Sequence, residues 1–236
     1  MENIEGIIFD YGGTIDSRGV HWSWVIWDGY QQAGVGISLE QFREAYVYAE
    51  RELARVRHIL PGDNFHDLLI KKMKIEFGYI GQQGSLAAPE SELERLALQV
   101  ALYCYNRARQ CIEEARPVLE HLAGRYPMML VSNFYGNIDS VLRDFDLRKY
   151  FKGIIESSVV GVRKPNPTLF KLGVDALELP ASHVLVVGDS LKKDILPAES
   201  LGCATRWIKA RGWTDADDAT QHPGIITSLT DLLNEL

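Results

Sequence analysis

The chain has 236 residues, with 32 acidic side chains against 25 lysines and arginines, a net charge of −7. A composition of 46% apolar and 24% charged residues is that of an ordinary globular protein and excludes disordered, collagen-like and disulfide-scaffold classes. The acidic balance argues against a nucleic-acid or anionic-membrane partner, which calls for a basic stripe, but leaves room for an anionic small molecule held by local positive charge.

The first element is Gly6–Phe9, a short apolar strand that stops at Asp10 and a glycine pair. The acidic start Met1–Glu5 is not that of a signal peptide, and no apolar run reaches the roughly 18 residues of a membrane span, so a cytoplasmic protein is expected. From Val20 to Arg116 strand signals are missing. Amphipathic helices are predicted instead over 22–34, 39–58, 64–78 and 90–112, separated by turn compositions such as Pro61-Gly62-Asp63-Asn64 and the stretch 81–89. Strands then return at Pro127–Val131, Gly153–Ile155, His183–Val187 and Cys203–Ile208, with helices predicted at 117–125, 137–144, 167–177, 197–201 and 229–236. The strands are continuous apolar runs, which suits a parallel sheet covered on both faces. The predicted fold is therefore α/β: an open, parallel, Rossmann-like sheet formed by 1–17 and 115–236, with an all-helical cap inserted over 18–114.

The three cysteines are expected to be free thiols. Cys104 and Cys111 are seven residues apart in a helical pattern, about 10 Å along the axis and beyond disulfide reach.

Ligands of open parallel sheets bind at the carboxyl ends of the strands. Asp10, Ser132 with Asn133, and Asp189 all occupy such ends. Two carboxylates drawn to one edge repel unless a cation lies between them, and an all-oxygen site suits Mg²⁺.

Four motifs in order resemble those of the haloacid dehalogenase-like hydrolase superfamily. Phe9-Asp10-Tyr11-Gly12-Gly13-Thr14 resembles the first, and Leu130-Val131-Ser132-Asn133 the second. Arg163-Lys164-Pro165-Asn166-Pro167 resembles the third, and Gly188-Asp189-Ser190 with Asp194 the fourth. The resemblance implies an Mg²⁺-dependent phosphohydrolase of a small phosphorylated metabolite, working through an aspartyl-phosphate on Asp10. Lys164 and Ser132 would be catalytic, with Thr14 and Asn133 binding the phosphoryl oxygens. The metal would be held by Asp10, the Gly12 carbonyl and Asp189, with Asp194 as ligand or orienter. Whether the protein is a monomer or a homodimer is left open.

The departure from the family pattern is Gly12. Phosphatases of the family carry at this position a second aspartate, which protonates the leaving group. General acid–base catalysis is typically worth 10²–10⁴-fold, or about 3–5 kcal/mol of barrier. Four readings follow. The first is a phosphohydrolase using good leaving groups or another acid, for which Asp16, in an expected exposed loop, and His21 are the nearest residues. The second is a phosphonate-cleaving enzyme with a Schiff-base lysine among Lys71, Lys72 and Lys74, although such a cluster reads as a solvated helix face. The third is a dehalogenase, and the fourth a phosphate-binding protein with weakened catalysis. In the cap, Trp24 and Trp27 are expected to pack a core, and Arg51, Arg55 and His58 to form a solvated stripe; Tyr103, Arg107 and Tyr46 are further cap residues of this kind.

Overall fold

The computed structural model describes residues 3–236; Met1 and Glu2, the start of the acidic N-terminus, lie outside the described residues. Six parallel strands form one sheet: β1 (Gly6–Phe9), β2 (Met128–Ser132), β3 (Gly153–Glu156), β4 (Val184–Gly188), β5 (Ala204–Ile208) and β6 (Ile225–Ile226). Their spatial order is β3-β2-β1-β4-β5-β6. The apolar runs of β1, β2 and β4 are buried on both faces as expected, whereas β3 and β5 are partly exposed. Ile7 and Phe9 enter one core layer with Met128, Leu130, Leu185 and Val187, whereas Ile8 enters the other with Met129, Val131, Val184 and Val186. β6, only two residues long, carries too little pattern to be read from sequence.

The strand order reverses at β1, which has β2 on one side and β4 on the other. Phe9 is in register with both Leu130 and Val187, so the residues that follow β1, end β2 and follow β4 meet at one edge. This is the switch point at which open sheets form a ligand crevice.

The inserted region consists of α1 (Trp22–Gln32), α2 (Leu39–Arg55), α3 (Phe65–Gln82) and the first part of α4 (Glu90–Ala123). Reciprocal capping boxes, Ser38 with Gln41 and Asn64 with Asp67, fix the starts of α2 and α3. The separate helices expected at 90–112 and 117–125 are a single 34-residue helix that runs through Pro117 and through the expected boundary at 114. Its apolar face is continuous, from Leu96 and Val100 through Ile112 and Val118 to Leu122, and this packing outweighs the proline signal. Cap and sheet therefore share one continuous helix.

The sheet is completed by α5 (Ile138–Asp144), α6 (Ser157–Val160), α7 (Thr168–Leu177), α8 (Leu196–Glu199) and α9 (Asp215–Ala219). A π-helical turn over Leu191–Ile195 precedes α8, so the helix expected at 197–201 begins earlier, with Pro197 in its first turn. The C-terminal helix is a 3₁₀ segment, Leu229–Asn234, where 229–236 was expected to be helical. All three cysteines are free and buried. No helix among the described residues is long and apolar enough to cross a membrane.

The cap core holds a buried carboxyl with a pH consequence. Glu76 in α3 is fully buried and accepts a hydrogen bond from the Tyr30 hydroxyl at 3.0 Å, while its Oε1 has no partner. Burial pushes its pKa up to about 7. Folding thus favours the protonated form, at a cost that grows as pH rises from the ordinary carboxyl range to about 7 and is constant above. At 1.36 kcal/mol per unit the cost is on the order of 3 kcal/mol. Glu76→Gln is expected to exceed the wild type in stability at pH 8 and to match it near pH 5, as read by urea unfolding at the two pH values.

Candidate active site

Asp10 follows β1, and its amide donates to the Val187 carbonyl at 2.9 Å, tying it to β4. Its carboxylate is 6% exposed as a residue and accepts from Lys164 Nζ at 2.6 Å and from the Thr14 hydroxyl at 3.4 Å. Lys164 is buried and also donates to Asp194 Oδ1 at 2.6 Å, with its ammonium 4.9 Å from the Phe170 ring centre. Burial alone would lower the Lys164 pKa, but the Asp10 and Asp194 carboxylates together hold it above the ordinary lysine range. The Asn133 side chain braces this lysine, since its Nδ2 donates to the Lys164 carbonyl at 3.1 Å and its Oδ1 accepts from the Lys164 amide at 2.9 Å. Asn133 thus joins the end of β2 to the loop that carries the lysine.

Asp189 follows β4, and its carbonyl is anchored by the Trp207 indole at 2.6 Å. Its carboxylate has no hydrogen-bond donor among the described residues. Burial, then Asp194 and Asp10, push its pKa well above the ordinary carboxylate range. Asp194 is raised in the same direction, first by burial. It is held on both oxygens, by Lys164 on one and by the Ser190 amide at 3.0 Å on the other. Gly13 makes the close approach of Asp189 to the first loop feasible: with φ at +94°, a Cβ there would sit 2.3 Å from the Asp189 carboxyl.

Asp10, Asp189 and Asp194 each offer an oxygen within 4.8 Å of the others. Hard oxygen donors, excess negative charge and an unpartnered Asp189 carboxylate fit a divalent cation such as Mg²⁺. Asp194, with both oxygens engaged, is better suited to orient Lys164 and the Ser190 turn than to bind the ion directly.

These groups line a cavity of about 190 Å³ between sheet and cap. Asp10, Gly12, Ser132, Asn133, Lys164 and Asp189 line it from the sheet, and Tyr46, Glu50, Phe65 and Lys72 from the cap. Thr14 is fully buried behind Asp10 and is absent from the lining, so its hydroxyl supports the Asp10 carboxylate. Gly12 faces open space, with nothing within 4 Å of a Cβ built on it.

Two expectations about burial change. Lys72 is not on a solvated face: it is buried, paired with Glu50 and 4.4 Å from the Tyr46 ring centre. Burial would lower its pKa, but Glu50 and the surrounding tyrosines hold it well above the ordinary value. Lys71 pairs with Asp63 and Lys74 with Glu94 at the surface. Asp16 is not in an exposed loop either, being 1% exposed. Trp24 and Trp27 are half-buried, the former beneath Arg211 and the latter against Tyr30 and Phe42, while Arg55 and His58 both pair with Glu52 in the expected solvated stripe.

Glu50 and Tyr135 were not singled out from sequence. The Tyr135 hydroxyl, from the loop after β2, lies 3.3 Å from both Glu50 oxygens and links sheet to cap. A signal for the cap lining was present: Tyr46 and Glu50 are four apart on α2, and Phe65, Leu68, Leu69 and Lys72 share one face of α3. Tyr135 has no such periodicity.

A parallel sheet whose carboxyl edge gathers aspartates and a buried lysine beneath a helical cap has the make-up of a hydrolase site. A family model described as haloacid dehalogenase-like hydrolase matches residues 4–202, and the chain belongs to that family. Among curated relatives, it is 29% identical to the Escherichia coli 5-amino-6-(5-phospho-D-ribitylamino)uracil phosphatase YigB over 72% of this chain and 65% of that protein. It is 33% identical to the glyceraldehyde 3-phosphate phosphatase of Pyrococcus abyssi over 39% of this chain, a stretch covering only 38% of that relative's length. The fold is shared with the HAD-hydrolase YfnB of Bacillus subtilis, solved bound to magnesium, with a TM-score of 0.58 and 20% identity over 100% of this chain and 99% of that one. A 2-haloacid dehalogenase of Pseudomonas syringae shares it with a TM-score of 0.54 and 20% identity, over 98% and 97% of the two chains.

Proposed function

We propose that this hydrolase is an Mg²⁺-dependent phosphohydrolase that removes the phosphoryl group of a small phosphorylated metabolite through an aspartyl-phosphate on Asp10. The observation that carries the reading is the convergence of Asp10, Lys164, Ser132, Asp189 and Asp194 on one cavity. Curated relatives named as phosphatases, and the magnesium bound to the Bacillus protein, support it.

An Asp10 oxygen attacks phosphorus, the P–O bond to the leaving group breaks, and water later cleaves the acyl-phosphate. Lys164 lowers the repulsion between the carboxylate and the phosphate and keeps the nucleophile oriented. The Ser132 hydroxyl and the Asn133 amide donate to the phosphoryl oxygens. Asp10, Asp189 and the Gly12 carbonyl would hold Mg²⁺, with Asp194 fixing Lys164 beside them. When bound, the ion neutralises charge on the phosphoryl oxygens and orients the group for in-line displacement.

Two alternatives are disfavoured. An imine-forming lysine must be a free amine, whereas Lys72 is held as an ammonium by Glu50. Halide displacement has no use for a cation, for which the Asp10 and Asp189 carboxylates are suited.

Phosphate release from a panel of monoesters is expected to require added Mg²⁺ and to fall to background with a chelator. Release that persists at full rate in excess chelator overturns the reading, and stoichiometric binding of phosphate esters without turnover marks a binding protein instead.

A further inference from the structure

An alkyl phosphate leaves as an alkoxide, and Gly12 supplies no proton for it. The structure brings another carboxyl to the same cavity. Asp16 lies at the end of the loop that follows Asp10 and lines the cavity together with Asp10, Gly12 and Lys164. Its Oδ1 accepts from the Gly13 amide at 2.8 Å, and both of its oxygens lie 3.1 Å from the Trp22 indole nitrogen. Every protein partner of this carboxyl is therefore a donor. Among the described residues a proton on Asp16 has no hydrogen-bond acceptor, and it finds one in the cavity, where the leaving group lies. Trp22 opens the first cap helix, so the carboxyl is fixed by cap and sheet together.

We propose that Asp16 is the catalytic proton donor and acceptor of this site, filling the role that Gly12 vacates. The assignment rests on the phosphohydrolase reading above. In the first half-reaction Asp10 bonds to phosphorus, the ester P–O bond breaks, and the Asp16 proton passes to the departing oxygen, giving an alcohol and the Asp16 carboxylate. In the second, that carboxylate takes a proton from water as the water oxygen bonds to phosphorus. The acyl-phosphate P–O bond breaks, returning the Asp10 carboxylate, inorganic phosphate and protonated Asp16.

The surroundings suit this cycle. Burial, which outweighs the Gly13 and Trp22 donors, pushes the Asp16 pKa up to about 8, and the Asp10 charge adds to the rise. The other groups facing it are the Tyr11 hydroxyl and Cys111, both uncharged at neutral pH because burial raises them. The nearby Arg18 is paired with Glu114 at the surface. His21, the other candidate, is unsuited. Its Nδ1 accepts from the Ser23 amide at 3.3 Å, and burial followed by the charges of Lys193 and Lys72 lowers its pKa to about 4, so the imidazolium is not populated.

The test compares Asp16→Asn with wild type on β-glycerophosphate, an alkyl ester, and p-nitrophenyl phosphate, whose leaving group needs no proton. Because kcat/KM reports only the steps through departure of the alcohol, and not the shared hydrolysis of the acyl-phosphate, loss of the general acid is expected to lower kcat/KM on the alkyl ester by about 10²–10⁴-fold, and on the aryl ester by less than about tenfold. Wild-type kcat/KM on the alkyl ester falls on the alkaline side near pH 8, and this limb is missing with the aryl ester. Gly12→Asp, for which the site has room, added to Asp16→Asn recovers alkyl-ester turnover. Equal losses on both esters, or an alkyl-ester rate untouched by Asp16→Asn, overturn the assignment while leaving the phosphohydrolase reading intact. Wild type inert on both esters overturns both. Should Asp16→Asn fail to fold, the wild-type pH profiles on the two esters decide alone: a shared alkaline limb, or none, overturns the assignment.

Discussion

Asp10→Asn is expected to reduce phosphate release by about 10⁴–10⁶-fold, the scale on which loss of a covalent nucleophile acts. Asparagine is nearly isosteric and keeps one oxygen to accept from Lys164, while its NH2 takes the place facing the Thr14 hydroxyl, which can turn to accept, so the shape around position 10 is retained. What is removed is the second anionic oxygen, and with it the acyl-phosphate. Because no other carboxylate in the cavity can replace it, the loss should be the same on alkyl and aryl esters. Asp189 has no comparable brace, and Asp194 is occupied on both oxygens. That substrate-independent loss separates the nucleophile from the proton donor, whose removal discriminates between esters. Phosphate release on the two esters, with a urea-unfolding midpoint to show that the variant is native, checks the prediction. Residual activity above about one per cent of wild type would exclude Asp10 as the only nucleophile.

Much of the architecture was legible because it rests on local pattern. Each of β1, β2 and β4 is an apolar run ending at a polar residue, and a doubly covered parallel sheet demands that sequence whatever its neighbours are. Asp10, Ser132 and Asp189 could be assigned to one edge for the same reason, before any distance was known. The extents of the elements were less accessible. Pro117 looks like a break, but an N–H lost within a helix costs less than exposing the apolar face that joins Cys111 and Ile112 to Val118 and Leu119. The two-residue β6 exists because Trp207 and Ile208 give it a partner, which is information that no local window contains.

The site divides along the same line. Residues that end strands could be placed from the sequence, whereas Asp16 and Lys72 were named as candidates but expected to be exposed, and their burial was not legible. Asp16 is one acidic residue among 32 in the composition, and only the packing of Trp22 and the first loop over it makes it an acid near neutral pH. Lys72 stands between Lys71 and Lys74 in the sequence, yet it alone turns towards Tyr46 and Glu50, because the shared face of Phe65, Leu68 and Leu69 carries it inwards. The net charge of −7 hides the same point. Three of its carboxylates form a locally anionic cluster, which Lys164 and the proposed cation would convert into an anion-binding site.

Lys164→Met is expected to affect both activity and stability, and the pH dependence of the second effect identifies the cause. The ammonium is the shared counter-charge of Asp10 and Asp194, each 2.6 Å from it and all three side chains less than a tenth exposed. Methionine fills similar volume and tolerates the Phe170 ring, so the main change is electrostatic. Removing one partner of a buried ionic cluster typically costs about 3–5 kcal/mol, because the remaining charges stay desolvated and unpaired. Those charges are carboxylates, and Asp189 and Asp194 are already raised above their ordinary values with Lys164 present. Without it they rise further. A carboxyl with a raised folded-state pKa costs stability that grows as pH climbs above its unfolded value and levels off above the folded one. The deficit of Lys164→Met relative to wild type should therefore be larger at pH 8 than at pH 5 in urea unfolding. Mg²⁺ should narrow it, since an ion that binds only the native state stabilises according to its occupancy and replaces the lost positive charge. A deficit of the same size at both pH values and indifferent to Mg²⁺ would mean that Lys164 contributes by packing, and that the carboxylates are neutralised by other means.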